Sequence, residues 1–273
     1  VKGAAGLLLL LCAACVAGRP VQAPVPVLAE PPPGVRLHTG APEGGPPYRL
    51  FLSEDATAAR PHRLLVWLHP SGSDGLGLVE PLVADFARRG FALLTLSRKD
   101  FSGWRGVDAN AVMLKGVPDA ARVPGVDARK PVLLGYSAGA QMALELWSAR
   151  PGAFGGLVLL AGAPRFSRGD ESTPPTGAAY TRVPLLAVVG EGDGDGPALW
   201  RRASETWRAA GVPLQTREVP GRGHEWLLLE PAEREAVLAW LEALPPVAGV
   251  MPGSLASGDE AVLAWLDALP PVE

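Results

Sequence analysis

Apolar residues fall along this chain in two rhythms. Unbroken runs occur at 63–68 (RLLVWL), 91–96 (FALLTL), 131–134 (PVLL), 157–160 (LVLL) and 185–189 (LLAVV), and 48–53 and 214–219 also read as strands. Between them, 76–89, 140–149, 197–210 and 232–244 repeat their apolar positions every three or four residues, as a helix with one buried face does. Pro197 and Gly211 stand where a helix starts and stops. Residues 107–122 have helical spacing, although Gly116 and Pro118 interrupt it. Strands that are apolar throughout and alternate with helices predict an α/β domain with a mostly parallel sheet covered on both faces.

The last helix has a duplicate. Residues 235–247 recur as 260–272 with one change, Glu242 becoming Asp267. A single repeat at this offset is not an array, because solenoids need several units to bury a core. One reading is a tandem duplication without a role. The other is that Val262, Leu263, Trp265 and Leu266 form a second apolar face, which docks on a partner subunit to give dimerisation or exchanges with the first copy.

The opposite end has a different texture. Lys2 precedes an apolar run over 6–17, too short to span a bilayer and followed by small residues where a signal peptidase cuts. Ala14-Cys15 also resembles the end of a bacterial lipobox, with Cys12 where Leu or Val is usual, so a membrane tether through Cys15 is a second expectation. Either way, residues 1–18 predict export to the periplasm or the extracellular space. Residues 19–34 are rich in proline, including Pro31-Pro32-Pro33, and read as a stiff linker. The organisation expected is therefore signal 1–18, linker 19–34, domain 35–247 and duplicated segment 248–273.

Composition narrows the chemistry. Cys12 and Cys15 are the only cysteines, so the domain itself has no thiol nucleophile, no cysteine metal site and no internal disulfide. The formal charge of −3 lacks the basic footprint of a nucleic-acid binder.

A serine hydroxyl attacks only with an adjacent base, a group that orients the base, and donors for the developing oxyanion. Gly135-Tyr136-Ser137-Ala138-Gly139 lies between an apolar strand and an apolar helix, the setting in which a sharp turn presents its serine. Asp193 follows the strand at 185–189, and His224 follows the next strand, giving the order Ser…Asp…His. Of the other histidines, His38 and His62 read as surface residues before early strands, and His69 as a structural element after the 63–68 strand. Asp195 and Asp170 compete with Asp193 as the acid, but Asp195 reads more naturally as a helix cap. The expected oxyanion donors are the Ala138 N–H and the Ser71 N–H, since Pro70 has no N–H to give.

With these motifs the chain resembles the α/β-hydrolase superfamily from Tyr48 to Leu244. The resemblance rests on Leu68-His69-x-x-Gly72, Gly135-Tyr136-Ser137-Ala138-Gly139-Ala140, Gly190-x-x-Asp193 and Gly223-His224. The stretch 154–162 is similar to the phospholipase/carboxylesterase branch, and the surroundings of His69 and Ser137 to dienelactone-hydrolase-like and polyhydroxyalkanoate-depolymerase-like enzymes. The usual oxyanion loop has Gly where this chain has Pro70. The resemblance implies an α/β-hydrolase fold, with 164–183 too short for a large lid domain and Trp104 and Trp226 as wall or core. It implies a serine esterase acting on a small-molecule or polymer ester, without cofactor or metal. A serine peptidase or amidase and a non-catalytic binding protein stay open beside it.

Overall fold

Side-chain alternation along the strands sorts the core into two layers. In a computed structural model, which describes residues 28–96, 104–166 and 176–247, eight strands form one sheet. They are β1 (Val35–Gly40), β2 (Tyr48–Ser53), β3 (His62–Leu68), β4 (Phe91–Leu96), β5 (Val126–Tyr136), β6 (Gly156–Leu160), β7 (Leu185–Gly190) and β8 (Leu214–Val219). Their order is β1-β2-β4-β3-β5-β6-β7-β8. The strands from β4 to β8 run parallel, while β2 pairs antiparallel with both β1 and β4.

The helices are α1 (Leu76–Val79), α2 (Val83–Arg88), α3 (Gly106–Ala111), α4 (Val117–Ala120), α5 (Ala138–Ala149), α6 (Gly196–Ala209) and α7 (Pro231–Glu242). Leu64, Val66 and Leu68 of β3 point into one layer with Val112, Met113 and α4 to α6, where Trp147, Trp200 and Trp207 pack. Leu65 and Trp67 point into the other, with α1, α2 and α7. Each fully buried Leu contributes about 1.5–3 kcal/mol, so a sheet this apolar on both faces holds its register firmly.

Several elements differ from expectation for identifiable reasons. The helix expected over 76–89 is broken by a 3-10 turn at Glu80–Leu82, because Pro81 lacks an N–H and starts a new turn. The helix over 107–122, by contrast, passes through its breakers. A π-turn at Val112–Gly116 joins α3 to α4, and Pro118 sits in the first turn of α4, where no N–H is needed. Strand β5 begins at Val126, earlier than the apolar run at 131–134. The additional residues pair with β3 by backbone while Asp127 and Arg129 bond each other. Strand β1 is not foreseen at all.

His62 is also corrected: it is buried at the start of β3, not on the surface, and burial pushes its imidazole pKa down. Leu28, inside the expected linker, is tied to the domain. Its N–H donates to Glu80 and its carbonyl accepts from Arg49. The expected signal, Cys12, Cys15 and the duplicate at 248–273 lie outside the described residues. Among the described residues, no helix is long and apolar enough to cross a membrane.

Candidate active site

The turn from β5 into α5 carries Ser137 in a conformation few non-glycine residues adopt, φ 54° and ψ −116°. It is held there from both sides. The Ser137 N–H donates to the Leu160 carbonyl at 2.9 Å, and its own carbonyl accepts from Gln141 at 3.2 Å. The flanking glycines are needed for close approach. A Cβ on Gly135 would lie 2.4 Å from the Gly139 carbonyl oxygen, and one on Gly139 would lie 1.8 Å from that of Leu68. The turn after β5 is thus pressed against the end of β3, where the loop with His69, Pro70 and Ser71 begins.

His224 Nε2 lies 2.8 Å from Ser137 Oγ, and His224 Nδ1 lies 2.8 Å from Asp193 Oδ1. A carboxylate accepts only, so Nδ1–H donates to Asp193 and Nε2 is left to accept the serine proton. The three residues come from the ends of β5, β7 and β8, and the loops after β7 and β8 are knitted together. Glu191 N–H donates to Val219 O at 3.0 Å, Gly192 N–H to Arg222 O at 2.7 Å, and Gly221 N–H to the Glu191 carboxylate at 2.9 Å. The Asp193 side chain is only 14% exposed while that of His224 is 32% exposed, so the acid sits sheltered behind a base that faces solvent.

The competing carboxylates have different partners. Asp195 occupies the N-cap position of α6 but makes no side-chain cap bond; its carboxylate pairs with Arg165 instead. Asp170 lies outside the described residues. Ala138 opens α5 directly after Ser137, and Ser71 is exposed on the loop after β3.

His69 is buried, with Nδ1 2.6 Å from the Pro70 carbonyl, and burial pushes its pKa down. Trp104 stacks on it at 4.4 Å and donates Nε1–H to the His69 carbonyl at 2.8 Å, so this tryptophan braces the loop. Trp226 is core, edge-on to Trp67 at 5.3 Å.

Sequence reasoning missed Tyr136. Its ring stacks on His224 at 5.8 Å and meets Trp226 edge-on at 5.4 Å, forming the floor that supports the imidazole. Its only signal in the chain is that it precedes Ser137. Among the described residues, no three His, Cys, Asp or Glu side chains gather to hold a metal ion.

No family model and no curated protein matches this chain. Solved structures do. A Klebsiella pneumoniae protein assigned as a dienelactone hydrolase superimposes with a TM-score of 0.58 at 16% identity, covering 77% of this chain and 99% of its own. An esterase from Pyrobaculum calidifontis gives 0.56 at 18% identity, over 79% and 85% of the two chains. The S-formylglutathione hydrolase of Staphylococcus aureus gives 0.57 at 14% identity, over 76% and 99%. At such identities the likeness is one of fold, and that fold has no large lid among the described residues.

Proposed function

We propose that this chain, an α/β-hydrolase fold, is a serine hydrolase that cleaves carboxylic esters through an acyl-Ser137 intermediate. The observation that carries the reading is the unbroken line from Ser137 Oγ to His224 to Asp193, with both links at 2.8 Å. In the mechanism, His224 Nε2 takes the Ser137 proton as Oγ attacks the ester carbonyl. Asp193 keeps the imidazole in the productive tautomer and stabilises the imidazolium that forms.

The carbonyl oxygen becomes an oxyanion held by the Ala138 N–H at the start of α5 and by the Ser71 N–H; a donor of this kind is worth about 2.7–4 kcal/mol in the transition state. The tetrahedral intermediate collapses by expelling the alcohol, which receives its proton from His224. Water, deprotonated by the same imidazole, then attacks the acyl carbon and frees Ser137.

The ester preference draws support from the surroundings. His224 faces solvent, and the only described helix between β6 and β7 is the 3-10 turn Tyr180–Arg182. An open site suits short-chain or surface-presented esters. Export through residues 1–18, with or without a lipid on Cys15, belongs to the same proposal.

A fluorophosphonate probe is the direct test. The expected adduct is on Ser137, with turnover of p-nitrophenyl acetate well above that of an aminoacyl p-nitroanilide. Absence of both labelling and turnover overturns the enzymatic reading; faster anilide cleavage makes the protein an amidase instead.

A further inference from the structure

At the end of the sheet opposite Ser137, a groove of about 560 Å³ opens beside the C-terminal end of α7. Its apolar walls are Val212, Pro213 and Leu214 on one side and Trp240, Leu244 and Pro245 on the other. Trp240 and Leu244 are only half-buried, although both lean on Gly156 of β6. The one charged side chain lining the groove is Arg208. Arg63 adds a second cation at the rim, where it donates to the Pro245 carbonyl at 3.2 Å.

The chain leaves the described domain at this place, two residues beyond Pro245. It continues through 248–259, a stretch that includes Gly249, Pro252, Gly253, Ser254 and Gly258, into the duplicate of the α7 sequence. Residues 248–273 hold four carboxylates (Asp259, Glu260, Asp267 and Glu273) and no lysine or arginine. Val262, Leu263 and Leu266 recur at helical spacing, so as a helix they form a stripe that must be covered by something apolar.

We propose that residues 260–267 of the same chain, the part equivalent to the end of α7, fold back as a helix and lie in this groove, with the Val262–Leu263–Leu266 stripe against Trp240 and Leu244 and Asp259, three residues before Val262 on the same face, toward Arg208 and Arg63. Twelve linking residues reach up to about 40 Å when extended, and the helix itself is about 12 Å long. Tethering through so short a link makes the docking an intramolecular event, favoured over capture of a separate molecule.

The seat that α7 already fills is a poorer home for the duplicate. Besides the Arg89 pairs with Glu235 and Glu242, which Glu260 and Asp267 could remake, the first copy is held there by contacts that precede the repeated stretch. Arg217 bonds Glu233 at 2.9 and 3.0 Å, and Arg234 faces Asp85 at 3.6 Å. In the duplicate, Gly258 and Asp259 stand at these two positions. Exchange therefore loses the Arg217 pair and brings Asp259 toward Asp85. The groove asks for no such loss. This inference does not depend on the chemistry at Ser137.

A single thiol reads the groove directly. In full-length protein carrying Cys12→Ser and Cys15→Ser, a Gln215→Cys substitution places a reporter on an exposed groove residue. Maleimide labelling is expected to be slow and to accelerate about tenfold when Leu266→Asp is added, with both proteins monomeric by sedimentation. Hydrogen exchange on the protein without the Gln215→Cys reporter, with and without Leu266→Asp, should change at residues 211–215 and 243–247. Equal labelling rates overturn the proposal. So does a dimer that Leu266→Asp converts to monomer, which makes a second copy the occupant. Exchange changes centred on Val237, Leu238 and the strands beneath them also overturn it, in favour of seat exchange.

Discussion

Gly190 and Gly223 are in backbone contact: a Cβ on Gly190 would stand 2.4 Å from the Gly223 carbonyl oxygen and 2.5 Å from that of Arg222. The strand that leads to Asp193 and the loop that leads to His224 are therefore set against each other with no side chain between them. Gly190→Ala must push the His224 loop aside. A displacement near 1 Å costs about 10²-fold in rate, so kcat for p-nitrophenyl acetate should fall by about that factor while the protein stays folded by circular dichroism. Wild-type kcat in a folded Gly190→Ala protein would show that the contact does not position the base.

Asp193 and Asp195 are two residues apart and have opposite surroundings. Asp193→Asn removes the acceptor for His224 Nδ1–H and should lower kcat by about 10⁴-fold. Asp195→Asn breaks only an exposed pair with Arg165, a contact worth about 0–1 kcal/mol, and should leave kcat within a few fold of wild type. Steady-state kinetics on the two variants decide the acid, and comparable losses from both would sink the assignment to Asp193.

Legibility followed burial. The runs that became β3, β4, β6 and β7 stand out because nearly every residue in them is buried from both sides. The expected strand, turn and helix around Ser137 needed only that contrast and the two glycines. Strand β1 carries one fully buried side chain, Val35, and its pairing with β2 is made by backbone, which composition does not record. Proline misleads in both directions. Pro81 breaks a helix that otherwise has good spacing, whereas Pro118 begins one, and the difference lies in whether the missing N–H was needed. The Tyr136–His224 stacking joins residues far apart in the chain and has no local trace.

Burial keeps two imidazoles neutral in the fold. His62 and His69 both have pKa values pushed below the ordinary 6.5 by desolvation. Below about pH 6.5 the unfolded chain therefore takes up protons that the folded one refuses. More protons on the unfolded state means stability rises with pH. Their contribution is complete above that value and is lost as pH falls toward the lowered folded values. The slope is at most about 1.4 kcal/mol per pH unit for each histidine. Urea midpoints between pH 5 and 8 should show the decline, and His62→Gln should flatten it. Parallel curves for wild type and His62→Gln would refute a role for this residue.

Two glycines in the helical layers should respond oppositely to alanine. Gly139→Ala forces a methyl to within 1.8 Å of the Leu68 carbonyl oxygen and 2.7 Å of that of His69, both backbone atoms that no rotamer change can move. It should destabilise by about 3 kcal/mol or more, or prevent folding. Gly116 has nothing within 4 Å of the same atom and ordinary helical dihedrals, so Gly116→Ala should stabilise by up to about 1 kcal/mol. Thermal melts compare them; destabilisation by Gly116→Ala would mean the π-turn needs the glycine for another reason.

The order in which the strands are made has a consequence for synthesis. Ser137 stands at the middle of the chain, at the end of β5, but its turn is pinned by the carbonyl of Leu160 on β6, and His224 arrives only after β8. A nascent chain therefore carries this serine without His224 while the 87 residues of separation between them are made, and domains generally fold as units once enough has emerged. On the proposed mechanism, reactivity at Ser137 switches on only after the last strand, so the moment a growing chain first accepts a serine-directed probe would be a clock for completion of the fold.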